Sequence, residues 1–131
     1  MKLFRHLDIS ASALTAGRFR MDVIATNIAN AESTRTENGE VFRRRQVVFQ
    51  PIRETGGVKV VRVMEDQVTP TRFVYQPGHP DANPSGYVEF PNVIMVNEMV
   101  DLMAATRAYE ANITVLNASR EIINASLGIG R

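Results

Sequence analysis

The chain has 131 residues, 44% hydrophobic and 22% charged, which is the composition of a folded domain and excludes a wholly disordered chain. Fifteen basic residues against fourteen acidic ones leave a net charge of +1, too small an excess to hold a phosphate backbone, so nucleic acid is excluded as a partner. With no cysteine, disulfides, thiolate metal sites and a cysteine nucleophile are excluded as well.

Met1, Lys2, Leu3, Phe4, Arg5 and His6 are followed by Asp8 before any apolar run long enough for a signal-peptide core, so no cleaved secretory signal is expected. The most apolar stretch, residues 93–105, is interrupted by Asn97, Glu98 and Asp101, so no segment is predicted to insert in a bilayer.

Residues 7–30 carry Leu7, Leu14, Met21 and Ile28 at seven-residue spacing, with Ile24 and the small Ala11 and Ala25 beside them. The spacing predicts a helix with one apolar seam. Asp8 or Ser10 is its candidate start cap, and Asn30, Glu32, Ser33 and Thr34 supply loop-favouring residues where the seam ends.

In the middle of the chain the period changes to two. Val41, Arg43, Arg45, Val47 and Phe49 alternate with Phe42, Arg44, Gln46, Val48 and Gln50, which predicts a strand after a tight Asn38-Gly39 turn. Val58, Val60, Val61 and Val63 predict a second strand after Thr55-Gly56-Gly57, and shorter strands are expected at residues 72–75 and 86–90. Pro77, Gly78, Pro80 and Pro84 make residues 76–85 a loop.

The last segment again has helical periodicity, with Met95, Leu102, Tyr109, Leu116 and Ile123 on one heptad position and Met99, Ile113 and Leu127 four residues later. Asn92 or Asn97 is the candidate cap, Glu98 and Asp101 fall in the first turns, and Gly128 and Gly130 end the helix. The fold class expected is α+β: long terminal helices packed as a coiled-coil-like pair around a small β-rich insertion. In domain terms, residues 1–32 and 92–131 form a discontinuous helical domain, and residues 33–91 the insertion with its proline-rich loop.

Burying the four seam residues of the first helix falls short of the entropy cost of ordering two dozen backbones, and Gly17 in mid-helix adds to the deficit. The helix needs a partner. The C-terminal helix is the obvious one, but its wide apolar stripe is not covered by one narrow seam. An intramolecular hairpin and an assembly with further copies both satisfy the periodicity.

Chemistry has little to stand on. His79 and Asp81 offer two metal ligands with no third in view, and a proline-fixed loop accounts for them equally well, so no metal and no cofactor are expected. No nucleophile elbow, phosphate-cradling glycine loop or His-Glu-x-x-His pair is present. Glu65-Asp66 reads as a solvated turn. Arg43, Arg44 and Arg45 alternate across a strand and so read as edge protection or interface charge. The glycosylation patterns at Asn112, Asn117 and Asn124 lie inside a predicted helix and are read as chance. Lys2, Arg5, Arg18 and Arg20 are interrupted by Asp8 and Asp22, which weakens a membrane-surface reading.

Several sequence words are specific. Ser12-Ala13-Leu14 and the run from Met21 through Asn27-Ile28-Ala29-Asn30 resemble the N-terminal signature of bacterial flagellar axial proteins. Tyr75-Gln76-Pro77-Gly78-His79-Pro80-Asp81-Ala82, Gly86-Tyr87-Val88, Pro91-Asn92-Val93, Glu98-Met99-Val100-Asp101 and Arg107-Ala108-Tyr109-Glu110-Ala111-Asn112 resemble the rod protein C family of the flagellar basal body. The resemblance runs over nearly the whole chain. Thr26, where a second asparagine is usual, and Gly17, where a longer polar residue is common, depart from the pattern.

The resemblance implies a non-enzymatic structural subunit of the proximal rod, the drive shaft that crosses the periplasm and carries torque from motor to hook. It implies export unfolded through the flagellar type III apparatus without cleavage. The partners implied are copies of itself, other flagellar rod proteins, and membrane-ring and export-gate components at the rod base. Assembly would use one seam of Leu7, Leu14, Met21 and Ile28 and another of Leu102, Tyr109, Leu116 and Ile123. Asn27 and Asn30 would bond backbone where the first helix ends, and Arg107 and Glu110, near Asn112, would pair within the chain or reach a neighbour. The alternative function is a soluble helical adaptor or chaperone-like binding module.

Overall fold

The computed structural model describes residues 2–130. The elements are α1 (Lys2–Ala29), β1 (Arg45–Pro51), β2 (Val58–Glu65), β3 (Arg72–Tyr75), β4 (Tyr87–Phe90) and α2 (Met95–Ile129). The fold is the α+β arrangement expected, with two long terminal helices flanking a small β region. The strands form two two-stranded sheets, β1 with β2 and β3 with β4.

Three helix ends differ from expectation. Nothing between Lys2 and Leu7 breaks a helix, so α1 starts earlier, leaving Asp8 and Ser10 as interior residues and not caps. Asn92 stays outside α2 because its side chain is taken by other backbone, and Asn97 lies inside the first turn, where the Glu98 N–H bonds the Ile94 carbonyl at 3.0 Å. Gly128 falls within α2, and the Gly130 N–H closes the end on the Ser126 carbonyl.

The chain divides into two compact units. One takes α1 up to Met21, residues 47–62 and α2 from Met103 onward; the other takes residues 22–46 and 63–102.

In the first unit α1 and α2 run antiparallel. A Cβ on Gly17 would stand 3.7 Å from the Tyr109 ring, and the Thr106 hydroxyl donates to Met21 Sδ at 3.6 Å. Buried Ala16 and Ala105 let the backbones approach. The covered line of α2 in this unit is Ala105, Tyr109, Asn112, Leu116, Ser119 and Ile123, at alternating steps of four and three. This corrects the expected companion line: Met99 and Leu127 are exposed, Ile113 is half-buried, and small or polar residues three positions on take their place.

The β1–β2 hairpin is seated on the first half of α1. Arg5 Nε donates to the Thr55 carbonyl at 3.1 Å, and Ser12 Oγ accepts the Val58 N–H at 3.1 Å while donating to the Ile9 carbonyl at 2.8 Å. Gly56, at φ 79°, turns the loop. Gly57 is buried against Ser12, whose Oγ would lie 2.5 Å from an added Cβ.

In the second unit β3 and β4 pair antiparallel, Arg72 opposite Phe90 and Tyr75 opposite Tyr87. The rings of Tyr75 and Tyr87 meet edge-on at 5.3 Å, and Arg72 stacks on Phe90 at 4.9 Å. Gly86, at φ 87°, has the Tyr75 ring where a side chain would go. The turn expected at Asn38-Gly39 is present, with the Thr36 N–H on the Glu40 carbonyl at 2.8 Å.

Gly57→Ala is expected to push Ser12 aside, break its bond to Val58 and cost about 1 to 3 kcal/mol. Urea unfolding of Gly57→Ala, Ser12→Ala and the double variant checks this; if Ser12 is the obstacle, the two changes are far from additive.

Candidate assembly site

All eight seam residues are half-buried: Leu7, Leu14, Met21 and Ile28 on α1, and Leu102, Tyr109, Leu116 and Ile123 on α2. In the first unit the seam is covered by the chain itself. What stays open is a second set of α2 residues: Met103, Val115, Ile122 and Leu127 are each more than half exposed. Arg107 and Glu110 are exposed, and among the described residues no ion pair joins them. Asn112 is half-buried in the covered line of α2.

Asn30 and Asn27 both bond backbone. Asn30 Nδ2 donates at 2.8 Å to the Thr26 carbonyl, which also accepts the Asn30 N–H, and this closes the end of α1. Thr26, the departure from the usual asparagine, turns its hydroxyl back on the Asp22 carbonyl at 2.9 Å.

Asn27 does more. Its Oδ1 accepts the Arg45 N–H and its Nδ2 donates to the Arg45 carbonyl, both at 2.9 Å, as a neighbouring strand would. The same Nδ2 donates to Glu98 Oε2 at 3.1 Å. Glu98 is only 1% exposed, and its other oxygen accepts Arg44 Nε. The Arg44 guanidinium also lies 3.5 Å from Asp101. Asn92 completes the network: Oδ1 accepts the Arg44 N–H at 2.7 Å, and Nδ2 donates to the Asp66 and Thr69 carbonyls at 2.9 and 3.0 Å. These bonds tie the end of α1, the segment before β1, the turn after β2 and the start of α2.

The same network explains two corrections. β1 begins at Arg45 and not at Val41, the Arg44 N–H just before it being taken by the Asn92 side chain. The arginine run is not edge protection: Arg44 is held by Glu98, Arg43 donates to the Asp66 carbonyl at 3.3 Å, and Arg45 stacks on Phe42 at 5.1 Å. Sequence reasoning missed the Glu98–Arg44 pair, because spacing carries no sign of two charges 54 positions apart. The signal available was an asparagine interior to α1 and a glutamate that a dipole explains too easily.

The turn after β2 is built by Asp66. Its carboxylate accepts the Thr69 N–H at 3.0 Å, the Thr69 hydroxyl at 2.7 Å and the Val68 N–H at 3.0 Å, and with Arg44 nearby these hold its pKa below the ordinary 3.8. His79 Nδ1 accepts the Asp81 N–H at 3.0 Å, and Asp81 takes the Thr34 hydroxyl and sits 3.6 Å from Arg35. Both residues fasten the proline-rich loop. Among the described residues no three His, Asp or Glu side chains gather as a metal site, and no helix is long and apolar enough to cross a membrane.

Two long terminal helices that cover one seam together and leave apolar surface open belong to the class of helical assembly subunits. Residues 7–35 match the family model "Flagella basal body rod protein", and residues 85–129 match "Flagellar basal body rod FlgEFG protein C-terminal". The flagellar basal-body rod protein FlgC of Salmonella typhimurium is 46% identical with all of both chains aligned, that of Bacillus subtilis 42% over the same coverage, and that of Borreliella burgdorferi 39% over 98% of each chain. The chain belongs to the FlgC family of flagellar basal-body rod proteins.

Arg44→Ala leaves the Glu98 carboxylate buried without its cation and is expected to cost about 3 to 5 kcal/mol, most of it recovered when Glu98→Gln is added. Chemical denaturation of the three variants checks this. The depressed Asp66 acid contributes full turn stability above pH 3.8 and loses it only as pH falls through its lower native value. An NMR titration is expected to place its midpoint below 3.8, moving upward in Thr69→Val.

Proposed function

We propose that the protein is a structural, non-catalytic subunit of the proximal rod, assembling through α1 and α2 into the tubular shaft that carries torque from motor to hook. The observation that supports this most is the apolar surface left open on α2, at Met103, Val115, Ile122 and Leu127, in a chain that aligns end to end with rod proteins. An isolated protein gains nothing from such exposure, whereas a shaft subunit buries it against its neighbours. The partners of this reading are further copies of the chain, other rod proteins and the ring and export components at the rod base. Its location is the periplasm-spanning part of the basal body, reached through the flagellar type III apparatus without cleavage of a signal. Seam residues such as Leu116 hold the helix pair together, and the residues around them meet the neighbours.

Leu116→Asp is expected to abolish incorporation into basal bodies while the β3–β4 pair, which lies in the other unit, stays folded. Isolated basal bodies and NMR of the purified variant read the two effects. Normal incorporation would remove the seam from the account. A wild-type protein that stays a compact monomer and never enters basal bodies would favour the adaptor reading.

A further inference from the structure

Beside the covered seam, each helix carries a second line of positions at alternating steps of four and three, all of them exposed. On α1 the line runs through Asp8, Ala11, Thr15, Arg18, Asp22 and Ala25. On α2 it runs through Met103, Arg107, Glu110, Thr114, Asn117 and Glu121. Among the described residues, none of the charged side chains in either line has an ion pair.

Set antiparallel, the two lines match over five of their six layers. Asp22 meets Arg107, Arg18 meets Glu110, Thr15 meets Thr114, Ala11 meets Asn117, and Ala25 meets the exposed Met103. At the last layer Asp8 meets Glu121, a like-charged mismatch at the end of the contact. Shifting the register by one heptad sets Asp22 against Thr114 or against Val100 and breaks both leading charge pairs. In one chain the lines cannot meet, because α1 and α2 touch through other faces, Gly17 on Tyr109 and Met21 on Thr106.

We propose that the exposed line of α1 in one copy docks on the exposed line of α2 in a second copy, antiparallel, with Asp22 on Arg107 and Arg18 on Glu110. This rests on the rod reading and deepens it by naming the partner and the register. The two faces differ, so each copy keeps one α1 line and one α2 line free, and the contact propagates where a self-complementary one would close. Within the chain Thr106 faces Met21; between chains Arg107 faces Asp22. The registers differ by about two residues, about 3 Å of helix rise, so neighbouring copies stand almost level. Opposed charges on an exposed line add little affinity and act mainly by fixing register and rejecting wrong pairings.

The test uses the full chain in flagellated cells. Thr15 and Thr114 both turn their hydroxyls back on their own helix, to the Ala11 and Glu110 carbonyls at 3.1 Å, and the native chain has no cysteine. Thr15→Cys with Thr114→Cys in one chain, oxidised in isolated basal bodies, is expected to give a ladder of multimers, and each single variant none. A dimer and nothing larger overturns propagation. Incorporation without any cross-link overturns the contact and leaves the rod reading standing, whereas absence of the tagged native protein from basal bodies overturns both. Asp22→Arg is expected to reduce motile cells at least tenfold, and Arg107→Asp in the same chain to restore them. Failure of the double variant to restore motility, or a silent single reversal, overturns the pairing.

Discussion

The second unit depends on one buried carboxylate. Glu98 sits in the first turn of α2, almost wholly out of water, and a lone charge there would cost more than the surrounding apolar contacts return. It is tolerated because Arg44 supplies a cation and Asn27 an amide N–H, and each of those is held by something else. Arg44 is fixed at its own backbone by Asn92, and Asn27 is locked to the backbone of Arg45. Among the described residues no buried side-chain nitrogen or oxygen lacks a partner. A network satisfied to that degree specifies one arrangement: none of its members can move without stranding another.

Much of the fold could be read before it was seen, for clear physical reasons. Helix and strand differ in period, so α1, α2, β1 and β2 announced themselves through the spacing of Leu7, Leu14 and Met21 or the alternation around Val47 and Val58. β3 was legible to the residue, bounded by Pro70 on one side and Pro77 on the other. Helix ends were not, since Asp8, Ser10, Asn92 and Asn97 all have the chemistry of a cap, and which of them is free to act depends on tertiary bonds. Asn92 has the right side chain in nearly the right place, yet it is spent on the backbone of three other residues.

Three of the motif words that carry the family resemblance fall where the polar network is. Asn27, Asn92, Glu98 and Asp101 each lie in one of those words, and all four touch Arg44 or its neighbour Arg45. The network thus joins segments far apart in sequence, which explains why no local pattern could reveal it. The seam residues behaved in the opposite way. Their spacing was plain, while their true companions, Ala105, Asn112 and Ser119, gave no apolar signal because a close helix contact selects for small side chains and not for greasy ones.

Placement of the covered seam decides what is left for assembly. Because α2 spends Tyr109, Leu116 and Ile123 within the chain, what it leaves open in the same unit includes Met103, Val115, Ile122 and Leu127 and, among the described residues, charges without an ion pair between them. That surface is neither a deep apolar groove, which would bind any hydrophobic partner, nor a plain polar face, which would bind none. Scattered apolar side chains offer modest affinity per contact, and charges set among them penalise a wrong pairing. Directional contacts repeated along a helix suit a rod subunit that adds to its neighbours in one orientation.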